Sequence, residues 1–72
     1  MKTLDLHGTK HHKVNRLVEN FVLMNELPVR IITGNSPAMK SLLDEIIEIH
    51  NLIYEFENYY NLGAVIVREK FT

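Results

Sequence analysis

A chain of 72 residues that is 46% hydrophobic, 24% charged and 8% aromatic, with a formal net charge of −1, has room for one small core. That excludes a multi-domain enzyme with a separate substrate domain, a disordered charged tail, and a binder that works by bulk positive charge alone. The absence of cysteine removes disulfides, thiolate metal ligands and a thiol nucleophile together.

Residues 3–7 alternate polar and apolar side chains ahead of Gly8, the period of a strand with one buried face. Leu4 and Leu6 point to the core on this reading, with Thr3, Asp5 and His7 on the other face. Val14, Leu17, Val18, Phe21, Val22 and Met24 then recur at helical spacing, which predicts a helix over residues 11–26 with Thr9 as its cap. Pro28 stops that helix, and the β-branched run over residues 29–33 predicts a second strand ended by Gly34 and Asn35.

Ser36-Pro37 supplies a capping hydroxyl and a proline at the first helical position. The following helix, ending near Asn51, carries Met39, Leu42, Leu43, Ile46, Ile47 and His50 on one stripe, where His50 is expected at the edge of the core. Residues 52–57 and 64–69 read as two strands of a hairpin, with residues 58–63 as its loop. The phenylalanines and both helix stripes read as core.

The order β-α-β-α-β-β predicts an α/β two-layer sandwich: a four-stranded mixed sheet, both helices on one face, and the last strand antiparallel. Residues 1–72 are expected to form one domain. The longest apolar runs, residues 21–24 and 64–67, are far short of a membrane span, so a cytoplasmic protein without a membrane partner is expected.

Charge is unevenly placed. Residues 1–16 hold Lys2, Lys10, Lys13 and Arg16 against Asp5, whereas residues 41–60 hold Asp44, Glu45, Glu48, Glu55 and Glu57 with no lysine or arginine. The carboxyl ends of the first three strands should share one edge, and that edge carries His7-Gly8-Thr9-Lys10 and Thr33-Gly34-Asn35-Ser36. Each turn is expected to aim free amides and the positive end of a helix at that edge, where an oxyanion binds. Lys10, His11, His12 and Lys13 fall in a first helical turn, where cations cost some tenths of a kcal/mol each unless an anion offsets them. Ordinary βα turns with solvated cations are the alternative.

Asp5 and His7 share a strand face, so the carboxylate can hold the imidazole, a hydroxyl or water, and the imidazole can exchange protons near neutral pH. A surface histidine beside a carboxylate is the plainer reading. His7, His11 and His12 follow no zinc spacing, and no metal ligand set is assigned. Tyr59 and Tyr60, at the hairpin tip, suit base stacking or closure over the core.

Leu4-Asp5-Leu6-His7-Gly8, the helix after it, Ile31-Ile32-Thr33-Gly34 and the closing Gly63-Ala64-Val65-Ile66-Val67 together resemble the small MutS-related (Smr) domain over nearly the whole chain. The resemblance implies a βαβαββ sandwich similar to the C-terminal domain of translation initiation factor 3. It also implies binding of DNA or RNA and, as in several members, nicking as an endonuclease. Asp5 and His7 then stand at the catalytic positions, with Mg²⁺ or Mn²⁺ as the cofactor that Asp5 could hold in place of orienting His7. Nucleic acid would meet Gly8, Lys10, His11, Lys13, Thr33, Gly34, Asn35, Ser36, Lys40, Tyr59 and Tyr60. Ser36 replaces the second glycine of the family's loop, and only Gly63 remains of its later glycine-rich segment. The first turn of the first helix is basic where relatives are acidic. These departures bear on cleavage more than on binding. A binder of structured or single-stranded nucleic acid, or of ribosomal RNA, that does not cut is the main alternative, and a protein-interaction module the lesser one.

Overall fold

The computed structural model describes residues 1–58 and 61–70, with the side chains of Asn61 and Leu62 left aside. The elements run β1 (Thr3–Asp5), α1 (His11–Met24), β2 (Val29–Ile32), α2 (Pro37–Ile49), β3 (Leu52–Asn58) and β4 (Asn61–Glu69). One sheet has the order β1-β2-β4-β3. β1 is parallel to β2, and β4 is antiparallel to both β2 and β3, so β1, β2 and β3 all point one way. The expected mixed sheet is present, with β4 inserted between the second and third strands and β3 left at an edge. The carboxyl ends of β1, β2 and β3 consequently share one rim.

Alternation decides which residues make the core. Val29 and Ile31 of β2 lie opposite Val67 and Val65 of β4, and all four are fully buried. Val14, Val18 and Val22 of α1 and Met39, Leu43, Ile46 and Ile47 of α2 close over them in one cluster that also takes Leu6. The second face of the sheet carries paired charges over Ile32, Ile53 and Ile66. Arg30 donates from Nε and an Nη to both carboxylate oxygens of Glu57, at 2.9 and 2.8 Å, and Arg68 lies 3.7 Å from Glu55.

Four expectations require correction. Thr9 does not cap α1: Lys10 holds the cap position, its side chain makes no capping bond, and the Thr9 amide instead donates to the Leu6 carbonyl at 2.9 Å. The helix ends at Met24, two residues early, where Asn25 returns its side-chain amide to the Phe21 carbonyl at 2.9 Å. The hairpin strands extend toward each other until Asn58 pairs with Asn61, so the connection is only residues 59–60 rather than 58–63. Finally, Leu17, Met24 and Phe56 are not core: two helices cannot cover every flank of a four-stranded sheet, and these side chains remain exposed, Met24 at 81% and Phe56 at 43%. His50 does lie at the core edge, with Nε2 3.0 Å from Glu19 Oε2, tying α2 to α1.

Candidate functional site

The rim begins with two turns built on one plan. In each, a strand ends, a glycine of positive φ follows after Leu6 and His7 in the first turn and after Thr33 alone in the second, and the helix cap comes two residues later: His7-Gly8-Thr9-Lys10 with Gly8 at +78°, and Thr33-Gly34-Asn35-Ser36 with Gly34 at +67°. A Cβ added at either glycine would meet nothing within 4 Å. Glycine is therefore required by the left-handed backbone, not by the close approach of another part of the chain. The bond from the Leu6 amide to the Ile32 carbonyl, 2.9 Å, extends the β1–β2 pairing past the strand end and sets the two turns side by side.

Their amides are disposed differently. The Thr33 and Gly34 amides both donate to the Gly63 carbonyl, at 2.8 and 3.0 Å, and the Thr33 hydroxyl lies 2.8 Å from the Gly34 carbonyl and 3.3 Å from that of Gly63. Thr33 is buried to 3% exposure, and the Met39 amide donates to the Ser36 hydroxyl at 3.2 Å. Thus the Thr33 and Gly34 amides, expected to be free for an oxyanion, are consumed inside the fold. α1 lacks any such side-chain cap, and Lys10, His11, His12 and Lys13 stand exposed around its start. Basic and imidazole side chains are thus clustered at that helix start.

Asp5 and His7 also differ from the simplest expectation. Asp5 Oδ1 accepts from the backbone amide of His7 at 2.8 Å, so the carboxylate fixes the main chain at His7 rather than holding its imidazole. Both side chains are exposed. Sequence reasoning missed Arg30: its guanidinium is held above its usual pKa, first by the hydrogen bond to Glu57 against the opposing effect of desolvation, then by the charges of Glu57 and Asp5. Asp5 thus stands in the field of a cation with one oxygen already engaged. Among the described residues no three His, Asp or Glu side chains gather into a metal-holding group.

Asn35 is exposed, and Ser36 is half-buried by its capping role. Lys40, one turn into α2, places its ammonium 5.1 Å from the centroid of the Phe56 ring. Phe56, which the sequence reading assigned to the core, meets Tyr54 edge-on at 6.2 Å and 83°. The Tyr54 hydroxyl donates to Asp44 Oδ1 at 2.6 Å, and burial, followed by that hydrogen bond and the Asp44 charge, pushes its pKa up to about 12. Phe56 lies two residues from the end of β3, so this cluster adjoins the rim at the opposite end from Lys10. No sequence signal marked it, because the place of β3 at the sheet edge follows from the insertion of β4 between β2 and β3. Tyr59 and Tyr60 lie outside the described residues.

No helix among the described residues is long and apolar enough to cross a membrane. Compared with models of protein families, with curated proteins and with solved structures, the chain matches none.

Proposed function

We propose that this chain is an Smr-type domain that binds DNA or RNA through the rim formed by the β1–α1 turn, the β2–α2 turn and the first turn of α2. The observation that carries the reading is the start of α1, where a helix with no side-chain cap is surrounded by Lys10, His11, His12 and Lys13. The Lys10 and Lys13 ammonium groups repel each other and the helix dipole at that place, and a phosphate relieves both conflicts. Lys40 adds a cation further along the rim.

Cleavage is the second reading, favoured by one observation: Asp5 pins the backbone of His7 and leaves the imidazole exposed on the same rim. His7 would take a proton from water attacking phosphorus or give one to the departing oxygen, while Lys10 offsets charge on the phosphoryl oxygens. The test is binding of the purified protein to matched single-stranded, duplex and branched DNA and RNA over a range of salt, alongside nicking of supercoiled plasmid and labelled RNA with Mg²⁺, Mn²⁺ or chelator. Binding whose salt slope falls by about one in Lys10→Ala supports the rim. Nicking lost in His7→Ala supports the enzyme. Binding without nicking under every condition leaves the binder, and unchanged affinity and slope in Lys10→Ala and Lys40→Ala alike refute the rim.

A further inference from the structure

Phe56 is an aromatic ring 43% exposed on an edge strand, near the rim, with a lysine ammonium resting over it. The pairing of Lys40 with Phe56 is weak in water and easily exchanged. The acidic groups nearby have partners: Glu57 is held bidentately by Arg30, Glu55 lies 3.7 Å from Arg68, and Asp44 accepts from Tyr54. Edge contact with Tyr54 steadies the ring, so little ordering is lost when another flat group stacks on it.

We propose that Phe56 and Lys40 form a stacking subsite for one base of a single-stranded nucleic acid, with the base taking the ring face and the released ammonium moving to the adjoining phosphate. The proposal rests on the rim being a nucleic-acid surface and adds the class of strand that it takes. A duplex keeps its bases stacked on each other and offers only phosphates, so the ring gains nothing from it. Geometry agrees with a single strand laid across the strand ends. Three inter-strand steps of about 4.8 Å separate β1 from β3, about 14 Å in all.

The experiment measures affinity of ten-nucleotide oligothymidylate, oligouridylate and a ten-pair duplex for wild type, Phe56→Leu, Phe56→Tyr and Lys10→Ala at several salt concentrations. Phe56→Leu is expected to weaken single-strand binding by about five- to 150-fold with an unchanged salt slope, and duplex binding by less than about twofold. Phe56→Tyr should retain wild-type affinity. Because the chain contains no tryptophan, Phe56→Trp installs one reporter, whose emission should be quenched by oligothymidylate and not by the duplex. The arms with thymidylate and uridylate distinguish DNA from RNA. Wild-type affinity in Phe56→Leu, together with a loss in Lys10→Ala, overturns the subsite and leaves the rim standing. Equal losses on single strand and duplex overturn stacking, and no binding of any probe by the wild type overturns both.

Discussion

The β1–α1 and β2–α2 turns are near copies in backbone and opposites in chemistry. Both place glycine in the left-handed region two residues before the helix cap, yet Ser36 closes the second helix while Lys10 leaves the first without a side-chain cap. The second turn is further closed by a carbonyl from β4, which takes the Thr33 and Gly34 amides, while the first turn spends its His7 and Thr9 amides on Asp5 and Leu6 nearby. The two turns thus differ less in how many amides the fold consumes than in the capping side chain and the charge around the helix start.

The largest expected effect tests the shared half of that comparison. Gly8→Ala and Gly34→Ala should each lower stability by about 1–2 kcal/mol, because a Cβ disfavours positive φ while nothing obstructs it in space. Denaturant unfolding should give similar values for the two, and Asn at either position should cost less. A far greater loss at one glycine alone would show that the turns are not equivalent.

The next effect tests the difference. Ser36→Ala should lower stability by about 1 kcal/mol, whereas Lys10→Ser, which offers α1 the cap it lacks, should raise stability by about 0.5–1 kcal/mol and weaken nucleic-acid binding. Opposite signs in thermal unfolding, with the more stable variant the poorer binder, are the expected result.

Much of this was readable from the sequence. Both helices, the first two strands and the Ser36-Pro37 start declare themselves through local periodicity and capping, which act within four residues. The unreadable features join distant parts of the chain: Gly63 reaches Thr33 across 30 positions, and Arg30 finds Glu57 across 27. Leu17, Met24 and Phe56 have the hydrophobicity of core residues, and only the number of covering elements decides that they stay exposed. The candidate site was less legible than the fold because its open and closed amides are settled by such long-range partners.

A smaller effect concerns Asp5. Asp5→Asn keeps an oxygen for the His7 amide and should change stability by less than about 0.5 kcal/mol, while any nicking falls sharply; Asp5→Ala should cost about 1 kcal/mol. Unfolding of the Asn variant would make Asp5 structural, unlike its counterpart in the second turn, where a backbone carbonyl does the work.

The smallest effect lies at the far end of the rim. Tyr54 has a folded-state pKa raised from 10.0 to about 12, so its contribution is fully present below about pH 10 and is lost as pH rises through about 12. Because the ring is half-buried at a solvent edge, the loss is smaller than the shift alone implies. Unfolding of wild type and Tyr54→Phe compared at pH 9 and 11 should show a steeper decline in the wild type; parallel declines would mean that neither burial nor the bond to Asp44 favours the neutral phenol in the folded chain.

The central position of β4 has a consequence for how the fold and its surface arise. β3 has no sheet neighbour except β4, and the β2–α2 turn is fastened by the first residues of β4. One strand therefore both completes the sheet and occupies the Thr33 and Gly34 amides through Gly63, so a change that loosens β4 would open two strand edges and release the β2–α2 turn together.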